Sequence, residues 1–236
     1  TNTINQQNQA QKTFLPGVFI QDEISITENQ KLLLGFRYDY NSYHGNIYTP
    51  RLAYKWKMND KNIIRLNTGT GFRVVNIFTE DHAALTGARI VEINNELYPE
   101  KSYNVNLNLI KKIFGKNGNY IGIDASAFYT YFNNRIVADY DTDPNKIIYD
   151  NLSGYAESKG VCLNLDFTFN NGFKIIAGGT LMENTLTENG ITEQQILTEN
   201  FTGTWAVSYK IRSKELAIDY TGNIYSPMRL PLLSET

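Results

Sequence analysis

The stretch Lys31-Leu32-Leu33-Leu34-Gly35-Phe36-Arg37-Tyr38-Asp39-Tyr40 decides the fold. Leu32, Leu34, Phe36, Tyr38 and Tyr40 recur at every second position and share one face of an extended chain, while Lys31, Arg37 and Asp39 share the other. On a helix the same residues would scatter around the axis. The pattern repeats outward. Leu52, Tyr54, Trp56 and Met58 oppose Arg51, Lys55 and Lys57; Tyr103, Val105, Leu107 and Leu109 oppose Ser102, Asn104, Asn106 and Asn108. Further on, Val161, Leu163, Leu165, Phe167 and Phe169 oppose Cys162, Asn164, Asp166 and Thr168, and Phe201, Trp205, Val207 and Tyr209 oppose Thr202, Thr204 and Ser208.

About ten antiparallel strands follow in a meander, near 16–27, 31–43, 50–58, 62–70, 101–114, 119–133, 155–169, 173–186, 200–211 and 215–226. Several reach the roughly 9–11 residues that a tilted strand needs to cross a bilayer. Short connections around 28–30, 59–61, 115–118, 170–172 and 212–214 alternate with longer ones at 44–49, 71–100, 134–154 and 187–199. Tight turns on one side and long loops on the other are the habit of outer-membrane barrels, and aromatics near strand ends suit their girdles. Gly115–Gly118 would then face the periplasm and the segment from Phe72 to Glu100 the outside. A soluble β-sandwich with a Tyr-rich core is the rival reading.

Asp22 is out of place. It keeps step with Val18, Ile20, Ile24 and Ile26, which should face lipid, so it needs either an interfacial position or a bulge that shifts the register.

Composition narrows the function. The 236 residues carry a net charge of -2, so no basic field invites nucleic acid. The one cysteine, Cys162, excludes an intrachain disulfide framework, and two histidines, His44 and His82, do not make a zinc ligand set. No run of 18 apolar residues offers a transmembrane helix, which a barrel does not need. Gly178-Gly179 lacks the Lys-Ser that completes a phosphate loop, and no cofactor motif is present.

Four motifs occur in a fixed order. Pro16 to Glu23 precedes LLLGFRYDY; then comes TPRLAYKWKMNDKNIIRLNTGTGFR, ending in Gly69, Gly71, Phe72 and Arg73. Leu97-Tyr98-Pro99-Glu100-Lys101-Ser102 follows, and last Asn151 and Gly154 with Ser158-Lys159-Gly160-Val161. From residue 16 to about 230 this resembles the C-terminal β-barrel of TonB-dependent outer-membrane receptors. The family's small residue and proline after the arginine are replaced by Val74 and Val75.

The resemblance implies a barrel of about 22 strands around an N-terminal plug. It implies import of a scarce nutrient (iron chelate, haem, cobalamin or glycan) driven by the TonB complex through the plug. Residues 1–15 read as a polar lead-in or loop and 16–236 as a partial barrel, with neither plug, TonB box nor closing strands in view. Its first and last strands would then carry unpaired edges, which lipid cannot satisfy.

Candidate ligand-binding residues are the loop positions Tyr43, His44, Arg73, Asp81, His82 and Tyr140. Arg37, Asp39, Arg51, Lys55, Arg65 and Asp166 are expected to face the lumen or plug. Arg73 could hold an anionic ligand or plug acid, or form an ion pair at the rim. No catalytic set and no metal site is expected. Asp81-His82 leaves an outer-membrane hydrolase as a distant rival, and a passive porin or adhesin is a nearer one. Asp139, Asp141 and Asp143 alternate like calcium ligands but lack the Gly and Glu of an EF-hand loop. The expected partners are outer-membrane lipid, a nutrient at the extracellular face and TonB; nucleic acid is not among them.

Overall fold

A computed structural model describes residues 14–42, 44–74, 89–93, 97–140, 142–143, 145–211, 213 and 215–230. Ten long strands form one antiparallel sheet: β1 (Gly17–Thr27), β2 (Gln30–Asn41), β3 (Gly45–Asn59), β4 (Asn62–Arg73), β6 (Glu100–Phe114), β7 (Tyr120–Asn134), β10 (Gly154–Thr168), β11 (Phe173–Glu188), β13 (Phe201–Ile211) and β14 (Leu216–Tyr225). Each pairs with the next long strand in the chain, so the sheet is a meander with β1 and β14 at its edges. Four short strands fill the connections: β5 (Ile90–Ile93), β8 (Ile136–Asp139), β9 (Lys146–Asn151) and β12 (Ile191–Gln194).

Residues directly opposite in an antiparallel ladder share a face. One row runs Ile24, Leu32, Tyr54, Leu66, Leu107, Ala127, Val161, Leu181, Phe201. A row on the other face runs Ser25, Lys31, Lys55, Arg65, Asn108, Ser126, Cys162, Thr180, Thr202, Tyr225. The sheet is therefore apolar on one side and polar on the other from edge to edge. Asp22 stands on the apolar side opposite Leu34, and the only irregularity of its hairpin lies nearer the turn, between Ser25 and Thr27. No bulge turns it away.

A single layer leaves little to bury. Among the described residues the buried apolar side chains are Ile47, Ile147, Tyr149, Leu152 and Ala156, whereas Ile20 is 72% exposed. Exposed apolar area on this scale marks an interaction surface. Hollows of about 720 Å³, beside Ile20, Leu34, Leu52 and Val105, and about 540 Å³, beside Leu107, Ala127 and Leu163, open on the apolar side.

All four long connections differ from the sequence expectation. The chain does not loop over 44–49: β3 already pairs at Gly45, directly opposite Asn41. Gly45 has φ +72, a left-handed conformation that glycine adopts without strain and that closes so tight a turn. The long connections at 71–100 and 134–154 are not wholly loop either. β5 pairs parallel with β9, and β9 antiparallel with β8, in a separate three-stranded sheet. Ile147 and Tyr149 of β9 form its core, packed by Val91, Leu97, Ile136, Ala138 and Tyr140. Lys146 Nζ meets Glu92 Oε2 at 2.8 Å across the parallel pair. That hydrogen bond and the carboxylate's charge raise the lysine above its ordinary pKa. In the fourth long connection, β12 folds back on β11 from Glu188 opposite Ile191.

Candidate functional site

The long-connection end of the sheet holds the candidates that bear on ligand binding. Arg73 closes β4 directly opposite Glu100, and its Nε donates to Glu100 Oε2 at 2.8 Å. Glu100 is buried, and its other oxygen accepts the N–H of Ile136 at 3.1 Å. The carboxylate thus joins β4, β6 and β8. Arg135 stands beside this pair with its guanidinium 5.0 Å above the Phe132 ring. Burial chiefly lowers its pKa from the ordinary arginine value; Arg73 lowers it further and Glu100 opposes. Arg135 follows the last residue of β7, a position that alternation does not single out.

His44 lies in the turn between β2 and β3, its N–H donating to Asn41 Oδ1 at 3.1 Å and its ring 6.5 Å from that of Tyr98. Asn151 of β9 holds Tyr98 by the backbone at 2.8 and 3.0 Å. Tyr140 packs on the small-sheet core, and its carbonyl accepts from Arg89 Nη1 at 3.1 Å. His44, Arg73 and Tyr140 therefore share one end of the molecule. Tyr43, Asp81 and His82 lie outside the described residues, as does Asp141 of the acidic loop. Asp139 accepts from Thr142 N at 2.9 Å and from its hydroxyl. Among the described residues no cluster of three metal-ligating side chains occurs.

The six remaining candidates share the polar face. Arg37 and Asp39 form a two-point pair, Nε to Oδ2 at 2.8 Å and Nη2 to Oδ1 at 2.7 Å. Asp39 is fully buried opposite Gly17, where any side chain would collide with its carboxylate. Arg65 Nη1 donates to Asn108 Oδ1 at 3.2 Å, and Asn108 Nδ2 donates to Asp124 Oδ1 at 2.6 Å. Asp166 accepts from Thr168 Oγ1 at 3.0 Å and faces Lys174 at 3.7 Å. Arg51 and Lys55 project from β3 on the same side. Asn108 was legible as a polar-face position from the alternation around it, although its bond to Asp124 was not.

The family model "TonB dependent receptor-like, beta-barrel" matches residues 1–225. The "Iron-regulated outer membrane virulence protein" of Vibrio cholerae serotype O1 is 27% identical over 138 residues, 58% of this chain and 20% of that protein. Among solved structures, the siderophore receptor PirA from Pseudomonas aeruginosa superposes with a TM-score of 0.67 at 18% identity, over 92% of this chain and 38% of its own. PirA from Acinetobacter baumannii gives 0.69 at 17%, over 90% and 33%. The chain thus spans about a fifth of the curated relative and about a third of each solved receptor. With an edge-to-edge apolar face, a polar reverse and a family match over nearly its whole length, the chain belongs to the TonB-dependent receptor family and is a segment of its outer-membrane β-barrel.

Proposed function

We propose that this chain supplies ten wall strands to a receptor that imports a scarce nutrient across the outer membrane, powered by the TonB complex. A ferric chelate is the favoured cargo over haem, cobalamin or a glycan. The observation that carries the reading is the two-faced sheet: one side suits acyl chains and the other a hydrated interior. The siderophore receptors among its structural relatives and the iron-regulated curated relative support the choice of cargo. β1 and β14 then pair with further strands of a barrel of about 22, the polar side facing a plug. The turns at 28–29, 60–61, 115–119 and 169–172 face the periplasm, and the small sheet lies outside over the rim. Arg73, His44 and Tyr140 stand where cargo arrives, with Tyr43, Asp81 and His82 on the same connections.

Deleting the gene and following radiolabelled ferric siderophores, haem and cobalamin into cells tests this. Uptake of one iron chelate is expected to be lost on deletion and to stop when a protonophore collapses the driving force. Uptake that persists in de-energised cells and tracks only solute size would instead establish a passive porin, for which a mixed-charge wall is equally suitable.

A further inference from the structure

Asp22 escapes the apolar side neither by a bulge nor by height. Opposite it, the apolar side of β2 runs Leu32, Leu34, Phe36 and Tyr38. At one end the Tyr38 ring lies 5.5 Å from that of Tyr48, and at the other Gln30 stands opposite Trp56. Ring-bearing residues mark the two headgroup levels of a barrel wall. Leu34 is midway along β2 between Tyr38 and Gln30, so Asp22, between Ile20 and Ile24, sits near the middle of the acyl layer.

The apolar side holds other acids, and the sheet answers them. Glu157 accepts from the Tyr129 hydroxyl at 2.5 Å, and Glu183 meets Lys159 Nζ at 3.1 Å. The side chain of Asp22 has neither a hydrogen bond nor an ion pair among the described residues. Its cross-strand row continues through Leu34, Leu52, Thr68 and Val105, none of them charged. A lone carboxylate is costly at that depth, where ionised groups pair with one another.

Among the described residues β1 pairs only with β2, so its other edge is open. In lipid that edge has to be matched by a further strand. β14, at the opposite edge of the sheet, cannot supply the missing charge. On the apolar side it presents Leu216, Ile218, Tyr220, Gly222 and Ile224. Closing this sheet on itself would leave the carboxylate alone.

We propose that the strand adjoining β1 in the whole receptor carries a lysine or arginine on its outward side, held in an ion pair with Asp22 within the membrane. The proposal rests on reading this chain as barrel wall. Charge complementarity selects the occupant, and the solved relatives carry about two thirds of their length beyond the part this chain matches. Opposite residues on neighbouring strands bring their Cβ atoms to about 5 Å, well within the reach of a long basic side chain. With water excluded the attraction is strong, and it acts at the seam where this segment meets the rest of the barrel.

In the full-length receptor with Cys162→Ser, Asp22→Cys is combined with single cysteines along the adjoining strand, and a mild oxidant traps the facing residue as a disulfide. That residue, or its outward neighbour two positions away, is expected to be lysine or arginine. Asp22→Lys should then lower the temperature at which the folded band is lost on a semi-native gel. Changing the basic partner to Glu in the same chain should restore most of it, which reads even where Asp22→Lys alone fails to insert. Asp22→Asn and the partner's change to Gln should not add, the double variant unfolding in urea no earlier than the worse single. Additive effects overturn the proposal, as does a receptor stabilised by Asp22→Asn, the response of an unpaired carboxylate. A trapped strand with only neutral outward residues also overturns it and leaves the wall reading standing. No disulfide to any other strand refutes the wall reading itself, and the pair with it.

Discussion

Asn151 treats Tyr98 as a strand neighbour: its Oδ1 accepts the Tyr98 N–H at 2.8 Å and its Nδ2 donates to the Tyr98 carbonyl at 3.0 Å. One side chain thus replaces two ladder bonds and ties the small sheet to the approach of β6. Substituting Asn151→Ala leaves both backbone groups to water, at a cost of about 1 kcal/mol given that Tyr98 is well exposed. The expected result is faster amide exchange at Tyr98 and around Glu100, with β10 and β11 protected as before. Unchanged exchange at Tyr98 would refute the tie.

The apolar face should reject charge at mid-strand. Leu163 stands opposite Ala125 and Gly179, deep in the apolar row, and its neighbour Asn164 points the other way. Leu163→Arg is expected to destabilise the full-length receptor by about 2–4 kcal/mol in lipid vesicles. Asn164→Ala should change it by less than about 1 kcal/mol. Urea unfolding in vesicles measures both, and equal effects would contradict the assignment of faces.

Gly154 begins β10 against Thr187 and Glu188, and a Cβ there would collide with the Thr187 carbonyl oxygen. Backbone does not yield as a side chain does. Gly154→Ala should therefore weaken the end of the β10–β11 ladder by about 1–3 kcal/mol. The folded band of the receptor on a semi-native gel would then convert to the unfolded form at a lower temperature, whereas Gly179→Ala, whose Cβ would meet nothing closer than 3.5 Å, should cost less.

Asp60, in the turn after β3, receives the Lys57 ammonium at 2.6 Å. That hydrogen bond, with the lysine's charge behind it, holds its pKa below the ordinary Asp value. A depressed carboxylate contributes stability above the unfolded-state pKa and loses it as pH falls through the folded value. The contact should thus be fully present at neutral pH and fade only in acid below the ordinary Asp range. Carboxyl-carbon NMR of the receptor in nanodiscs reads the titration, and Lys57→Met should return Asp60 toward the ordinary value.

The ten long strands were legible because alternation is local: each Leu, Tyr or Val two residues on reports the same face, whatever the partner strand. The early start of β3 was not, because Asn46 and Thr49 read as loop and Pro50 as a strand start, while pairing with β2 carries β3 back to Gly45. The small sheet was illegible for a different reason. Ile90–Ile93 and Lys146–Asn151 are short, and their pairing joins segments more than fifty residues apart, which no window along the chain reveals. The site followed the same division. Arg51, Lys55 and Arg65 could be assigned to one side from spacing alone, but the bonds of Glu100 to Arg73 and Ile136, and the place of Arg135 beside them, depend on three strands meeting.

The parallel pairing of β5 with β9 has a consequence for how such a receptor can change. The two longest connections share one buried core, so Ile147 and Tyr149, borne by one, are covered in part by Val91 and Leu97, borne by the other. Neither can be exchanged for a relative's version in isolation without stranding that core in water. Evolution, and anyone grafting a new specificity, has to treat residues 89–99 and 136–151 as a single inherited module.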